Sequence, residues 1–411
     1  MSVCRAGFSG SLKPSRYGRF GRNNGVHVNK KLWSVGVACV LAACGNQAQN
    51  HAVNNNGDSS SAPTAEATVN ILYLQGDKDE AARQGVDLAL AEVNEKAWKI
   101  QGQTVRFVLR SVEGRKEAAL LSAIQSRQPA AALGDINPAQ AVVLQQQNLP
   151  AVSLRAEPTE ADGQTVFHIN ATARQQGSLI GQYLAVQQGL DKIAVVSHGQ
   201  QTELTQALQD RVQTAGGHAS MYILGKTNQA DVRQLVLQLK TAQPDLIFYS
   251  GDAKSAAMLV RKLQQNKVLV PVMMTQEALG KSFIQQAAAY APGSMAVMAG
   301  MPLTQLTGAD RFGAAFAERF HTDPNEAAAA AYDGTWALLT AMKLADSTAP
   351  QTYASKLKTL NMSGGLLSGA LTFDNQGQRN EAVLTVYQVE EGGWVVADSI
   401  RANPNQAQTT P

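Results

Sequence analysis

The feature that most constrains the fold is the repeated alternation of short β-rich runs with amphipathic helical segments. Such alternation is typical of βαβ units, in which helices cover the faces of a parallel sheet. Helices are expected near 79–94, 202–215, 230–242 and 253–266. The sequence therefore predicts an α/β protein with two doubly wound, Rossmann-like lobes. The expected strands form two series of similar layout: 71–74, 104–109, 130–133 and 150–154, then 193–197, 221–224, 246–250 and 270–274.

The two series also indicate where a ligand binds and how the first helix packs. Ligands of doubly wound sheets bind beyond the carboxyl ends of the strands, so two facing lobes define a cleft. In the first helix, Val86, Leu90 and Val93 share one face, and Gly85 is expected to allow close packing on the sheet.

The start of the chain is expected to carry an export signal. Two lysines precede an apolar run at 32–41, which leads through small residues to Cys44. This pattern is typical of a lipoprotein signal peptide, and the run is shorter than the roughly 20 residues that span a bilayer. We expect cleavage before Cys44 and lipidation of its thiol, which would anchor the protein to the inner or outer membrane, facing the periplasm. The alternative is a buried amphipathic segment that ends in an ordinary core cysteine.

The segments around this signal are expected to lack a packed core. Residues 1–43 are assigned to the leader, and its first 27 residues resemble no signal, so Val28 is an alternative start of translation. Residues 44–67 are rich in Asn, Gln, Ser and Ala and are expected to form a flexible tether. Residues 401–411 are expected to form a disordered tail.

Charge and cysteine content exclude several classes of function. The chain has 35 Lys and Arg against 32 Asp and Glu, and seven of the basic residues lie in the leader, so the rest carries 28 against 32, a net charge of −4. A mildly acidic globule has no electrostatic footprint for nucleic acid. Cys4 and Cys39 lie in the leader, and Cys44 is expected to carry the lipid. No thiol therefore remains for a disulfide, a zinc site or a nucleophile.

Sequence motifs of enzymes are also missing. The sequence contains no nucleophile elbow, phosphate loop, dinucleotide fingerprint or zinc-protease motif. The six histidines are scattered without metal-ligand spacing and are interpreted as surface or loop residues. We therefore expect neither an enzyme nor a bound cofactor or metal.

Several stretches, taken in order, resemble the type I periplasmic binding proteins, specifically the branched-chain amino-acid receptors of ABC transporters. Residues 84–94 resemble the first helix of that family, and 244–249 resemble its Pro-Asp-led strand in the second lobe. Residues 331–334 are similar to its Ala-Tyr-Asp-Ala helix, and the stretch from Gly365 to Gly377 is similar to its closing hairpin. The resemblance covers about 68–400.

The resemblance implies two hinged lobes that close on a ligand, with a chain that crosses between them three times. It assigns 68–172 and 303–368 to lobe 1, and 173–302 and 369–400 to lobe 2. It also implies an importer receptor that captures an amino acid or a related small amphoteric solute and delivers it to an ABC permease in the inner membrane. The alternative is a lipid-anchored regulator of a cell-envelope enzyme, similar to the activators of penicillin-binding proteins.

In lobe 1, the family holds the ligand carboxylate near a helix start. Asn137 followed by Pro138 predicts such a helix start here, whose N–H groups attract anions. Asp135 would repel a carboxylate, and the loop from Ser153 to Arg155 replaces a family loop rich in Gly, Ala and Thr. Arg155 is expected either to bind a carboxylate bidentately or to pair with Asp135 or a neighbouring glutamate and bind nothing.

In lobe 2, Glu277 stands where the family has an acidic residue that contacts the ligand ammonium, although a solvated loop residue is an equal alternative. Thr202 and Asp252 occupy positions where the family often has aromatic residues. The helix that elsewhere sends an aromatic toward the cleft is all alanine at 327–331 here. Tyr332 is expected to pack in the hinge or core, and the pocket is expected to be wider and more charged than that of a leucine receptor.

Overall fold

The computed structural model describes residues 66–76, 80–226, 228–391 and 393–401. The expected leader, Cys44, almost all of the tether and the tail beyond residue 401 lie outside the described residues. Ala67 and Arg401, at the edges of the expected tether and tail, belong to the first and last strands, because Ala67 pairs with Val105 and Arg401 with Val383.

The first sheet has six strands in the order β2-β3-β1-β4-β5-β6, and all of its pairings are parallel except that of β2 with β3. Three helices alternate with these strands: α1 (Glu80–Glu95), α2 (Glu117–Arg127) and α3 (Pro138–Gln146). The strands are β1 (Ala67–Leu74), β2 (Lys99–Ile100), β3 (Gln103–Val112), β4 (Ala131–Gly134), β5 (Ala151–Ser153) and β6 (Val166–His168).

A second sheet follows, with five parallel strands in the order β11-β10-β9-β7-β8. Its helices are α4 (Ala173–Gln182), continued by a π-helical turn at Tyr183–Gln187, α5 (Glu203–Thr214), α6 (Gln229–Ala242), α7 (Ala253–Gln265) and α8 (Lys281–Ala287). The strands are β7 (Lys192–His198), β8 (His218–Leu224), β9 (Leu246–Ser250), β10 (Val272–Thr275) and β11 (Met295–Ala299).

The chain then returns to the first sheet. Buried apolar residues of α10 pack in the same core as strands β1 and β4. The returning elements are α9 (Ala309–Phe320), α10 (Glu326–Leu344), α11 (Pro350–Lys358), β12 (Asn361–Met362) and β13 (Leu371–Thr372). We call each sheet with the helices packed against it a lobe.

The last two strands complete the second sheet. β14 (Val383–Glu390) pairs antiparallel with β11, and β15 (Gly393–Arg401) pairs antiparallel with β14 at the sheet edge. The chain therefore passes between the two sheets three times, after β6, after β11 and before β14. The prediction of two doubly wound lobes joined by three crossings is confirmed.

The contacts of residues 369–378 bear on where the third crossing lies. The sequence assigned residues from 369 onward to lobe 2, but β13 pairs with β12, and the ring of Phe373 lies 5.2 Å from that of Phe167 in the first core. This aromatic contact and the strand pairing hold the hairpin on lobe 1. We therefore propose that the third crossing lies at 379–383.

Gly85 packs against a helix rather than against the sheet. A Cβ built at Gly85 would lie 2.1 Å from the carbonyl oxygen of Ala328, so the glycine allows α1 to approach α10. The expectation of glycine packing on the sheet is therefore wrong, because α10 covers this side of α1. Within the part of the chain that the structure describes, no helix is long and apolar enough to cross a membrane.

Candidate functional site

The three crossings meet around one cavity of about 60 Å³. Residues 169–171, 299–301 and 379–383 supply its walls, together with Ala329 and Ala330 of the alanine-rich start of α10. The small side chains of these alanines leave space between the three crossings, which together form the hinge between the lobes. The cavity therefore lies at the hinge.

A buried carboxylate organises the lobe-1 side of the hinge. Asp333 of α10 accepts hydrogen bonds from the N–H groups of Leu367 and Ser368, each at 2.8 Å, and from the Ser368 hydroxyl. Arg379 on the third crossing donates to the Ser368 hydroxyl at 2.8 Å and to two carbonyl oxygens of the same loop. Burial raises the pKa of Asp333 against the opposing effect of these donors.

Three loops at the carboxyl ends of lobe-1 strands bring charged side chains together. Arg115 follows β3, Asp135 follows β4, and Arg155 follows β5. Both guanidinium groups bind the Asp135 carboxylate, with 2.9 Å between Arg155 Nη1 and Asp135 Oδ1. Arg155 Nε also lies 3.0 Å from Oε2 of Glu157, which is largely exposed. Of the two roles expected for Arg155, the structure therefore shows the internal pairing, and we call these four residues the arginine cluster.

Helix α3 begins next to this cluster, and N–H groups at its start already take part in capping hydrogen bonds. Asn137 Oδ1 accepts from the N–H of Gln140 at 2.8 Å, and Gln140 Oε1 accepts from the N–H of Asn137 at 3.1 Å. Pro138 at the first helical position has no N–H to offer. The predicted cap and first-turn proline are present, but they leave few free N–H groups for a ligand anion.

Ser153 lies beneath the loop rather than in the cleft. It is fully buried, and its Oγ accepts from the N–H of Arg155 at 3.2 Å. The hydroxyl therefore shapes the loop that carries Arg155, and its selection as a direct ligand contact does not fit this position.

A buried histidine also holds the loop that carries Arg155. His168 Nδ1 lies 3.1 Å from the carbonyl oxygen of Arg155, and its Nε2 lies 2.9 Å from Asp162 Oδ2. Its backbone N–H donates to Gly377, next to the third crossing, at 2.8 Å. The interpretation of His168 as a surface or loop histidine is wrong, because its side chain is fully buried and links the loop to the hinge.

On lobe 2, Thr202 and Asp252 cap helices. Thr202 Oγ1 accepts from the N–H of Thr205 at 3.3 Å at the start of α5. Asp252 accepts from the N–H groups of Lys254 and Ser255 and from the Ser255 hydroxyl at the start of α7. Partial burial favours a higher pKa for Asp252, but these hydrogen bonds and nearby His198 outweigh it and hold the pKa below its usual value.

Glu277 occupies a short 3-10 turn, Gln276–Ala278, directly after β10. Its side chain is exposed. Tyr332 instead packs between Phe312 and Trp336, and its hydroxyl donates to Glu92 at 2.8 Å. Tyr332 therefore belongs to the packing of α10 against α1 and α9, as expected.

The structure brings the candidates together in two groups. Asp135, Asn137, Ser153 and Arg155 cluster at the carboxyl end of the first sheet, whereas Thr202, Asp252 and Glu277 follow three strands of the second. Among the described residues, no hydrogen bond or ion pair joins the two groups. Sequence reasoning missed Arg115, although it also follows a parallel strand directly and the strand-end rule could have found it. Across the described ranges, no group of three or more His, Asp or Glu residues is arranged to hold a metal ion.

Comparison with known proteins identifies the family. The model of the periplasmic binding protein family matches residues 74–393, which is most of the chain. The chain belongs to the periplasmic binding proteins. Membership of this family implies a location outside the cytoplasm, and the predicted type I fold is confirmed. No curated protein sequence matches the chain significantly.

Solved structures of periplasmic binding proteins share the fold at low sequence identity. A leucine-binding protein from Thermotoga maritima is 16% identical, with a TM-score of 0.61 over 82% of this chain and 99% of that one. An ABC transporter substrate-binding protein from Desulfitobacterium hafniense, in complex with Leu, is 20% identical, with a TM-score of 0.65 over 81% and 100%. A solute-binding protein from R. palustris in complex with benzoate is 14% identical, with a TM-score of 0.58 over 83% and 97%.

Proposed function

We propose that this periplasmic binding protein is the solute receptor of an ABC importer. It captures an amino acid or a related small amphoteric solute by closing its two lobes and presents the closed form to an inner-membrane permease. Lipidation of Cys44 would hold it at the membrane while the tether keeps the lobes away from the surface.

The observation that carries this proposal is the placement of opposite charges on the two sheets. Arg115 and Arg155 follow strands of the first sheet, and Asp252 and Glu277 follow strands of the second. Ligands of doubly wound sheets bind at these strand ends. A solute with a carboxylate at one end and an ammonium at the other matches this arrangement when the lobes close.

Each charged end of the solute has a chemical partner on one of the two lobes. Guanidinium groups bind carboxylates with two parallel hydrogen bonds, and a carboxylate such as that of Glu277 accepts charge-assisted hydrogen bonds from an ammonium. The neighbours that contain leucine or benzoate support a carboxylate ligand of modest size. The alanines at 327–331 support a pocket that is less aromatic than a leucine site.

One observation favours a second candidate, a lipid-anchored regulator of a cell-envelope enzyme. Asp135 already binds both arginines, and the helix start at Asn137 already uses its N–H groups. Arginines that are already paired with Asp135 gain less free energy from binding the carboxylate of a small ligand. A protein of this kind would use the same fold to contact a penicillin-binding protein.

A thermal-shift screen of the mature protein against amino acids, amides and small carboxylates separates the two candidates. A solute that binds only the folded state stabilises it by about 2.7 kcal/mol at a hundred times its Kd, so the importer receptor melts at a higher temperature with its solute. If no solute raises the melting temperature and a penicillin-binding protein copurifies with the anchored protein, the results favour the function of a regulator over that of an importer receptor.

A further inference from the structure

Within the arginine cluster, the two carboxylates differ in how firmly they are held. The Asp135 side chain is only 17% exposed and binds two guanidinium groups, whereas that of Glu157 is 57% exposed and pairs with one guanidinium group, that of Arg155. A Cβ built at Gly76 would lie 2.5 Å from Asp135 Oδ2, so backbone also encloses this carboxylate. Any exchange of partners on Arg155 therefore takes place at Glu157.

The contact of Glu157 with Arg155 is incomplete. Nε of Arg155 is 3.0 Å from Glu157 Oε2, yet its N–H does not point at this oxygen well enough to form a hydrogen bond. The guanidinium edge formed by Nε and Nη2 is the edge that can bind a carboxylate with two parallel hydrogen bonds. Glu157 approaches this edge at Nε and forms no hydrogen bond with that atom.

The charge balance sets the condition for exchange. Both guanidinium groups share the Asp135 carboxylate, and Glu157 supplies a further negative charge beside Arg155. A ligand carboxylate that replaces Glu157 preserves that charge, whereas an uncharged ligand that replaces it leaves the partly buried Arg155 to share Asp135 with Arg115, which costs free energy.

We infer that Glu157 is an internal competitor, whose carboxylate occupies the Nε edge of Arg155 until a ligand carboxylate displaces it. This inference rests on the proposed function, because it places the acidic end of the solute on Arg155. Glu157 thereby selects for solutes with a carboxylate and lowers the affinity for all of them.

Calorimetric titration of the mature protein and of Glu157→Gln tests this inference, with L-leucine and benzoate as carboxylate probes and L-leucinamide and benzamide as their uncharged-end counterparts. Glu160→Gln is the matched control, because Glu160 is also exposed in this loop and its substitution removes the same charge, while the ion pairs of Arg155 are with Asp135 and Glu157. We expect Glu157→Gln to bind a carboxylate probe about two- to fivefold more tightly than Glu160→Gln, the range of an exposed ion pair, and to bind the amides no more tightly.

The possible outcomes separate the inference from the proposed function. If the native protein binds a carboxylate probe and the two variants bind it equally, or Glu157→Gln binds it more weakly, the inference is overturned and the receptor proposal stands. If only Glu157→Gln binds a carboxylate, the inference holds and the native protein is not a receptor for these solutes. If neither protein binds either carboxylate probe, the inference is overturned, and the thermal-shift screen alone tests the receptor proposal.

Discussion

Nη1 of Arg155 lies 2.9 Å from Oδ1 of Asp135, so two charged residues at neighbouring strand ends bind each other. Arg115 binds the same carboxylate from a third loop. A solute carboxylate therefore meets arginines that already have partners, and the planar shape of the guanidinium decides whether Arg155 can hold Asp135 and the solute together.

Arg155→Lys is expected to weaken solute binding about tenfold. Lysine keeps the charge but cannot bind Asp135 on one edge and a carboxylate on the other, and hydrogen bonds to charged groups contribute about 1.5–3 kcal/mol. Calorimetry with a solute from the thermal-shift screen measures the loss. Arg106→Lys, at an exposed position on β3, serves as the control and should bind normally. Equal affinities of the two variants for the solute would show that Arg155 does not bind it.

Gly85→Ala is expected to destabilise the protein by about 1–3 kcal/mol, the usual cost of overpacking. The new methyl group would overlap the carbonyl oxygen of Ala328. Urea unfolding of the variant measures the change in the free energy of unfolding. Gly313→Ala in α9 is the matched control, because nothing lies within 4 Å of its Cβ position. That substitution should stabilise the protein by up to about 1 kcal/mol through helix propensity, and a neutral Gly85→Ala would refute the close approach of α1 and α10.

Asp333→Asn is expected to lower the free energy of unfolding by about 1–3 kcal/mol, because the amide group would face a backbone N–H that Asp333 now accepts from. Arg379 would also lose one of its two nearby negative charges and keep that of Glu381. Asp310→Asn, at an exposed position in the first turn of α9, should change stability by less than about 0.5 kcal/mol. Equal unfolding curves for the two variants would contradict the role of Asp333 at the hinge.

Cys44→Ala is expected to abolish metabolic labelling with palmitate, because lipidation requires the thiol of that residue. Cys39→Ala is the matched control, since Cys39 lies inside the apolar run and alanine keeps that run apolar. The control should remain labelled. Label on the Cys44→Ala protein would disprove the lipoprotein prediction.

The eight expected strands, which correspond to β1, β3, β4, β5 and β7–β10, could be predicted from the sequence because their signals are local. The run at 246–250, for example, coincides with β9, since β-branched and aromatic residues there are bounded by Pro244 and Gly251. The start of helix α3 at Asn137 could also be predicted, because a capping residue followed by proline is a signal confined to one helical turn.

Contacts between distant parts of the chain could not be predicted in this way. We propose a later third crossing than the sequence suggested because of the contact of Phe373 with Phe167, which joins segments far apart in sequence. The burial of His168 depends on Asp162 and on the carbonyl of Arg155, which no local pattern reveals. The sequence named the two pairing partners of Arg155 but could not choose between pairing and ligand binding.

Small-angle scattering of the mature protein with and without its solute tests the central claim most directly. We predict that a saturating solute from the screen reduces the radius of gyration of the native protein as the lobes close. At the same solute concentration, Glu277→Ala should contract less, because it loses about 1.5–3 kcal/mol of binding free energy, whereas Glu318→Ala, at an exposed position in α9, should behave like the native protein. A native protein that binds the solute without contracting, or a Glu277→Ala protein that binds and contracts like the native one, would contradict the account.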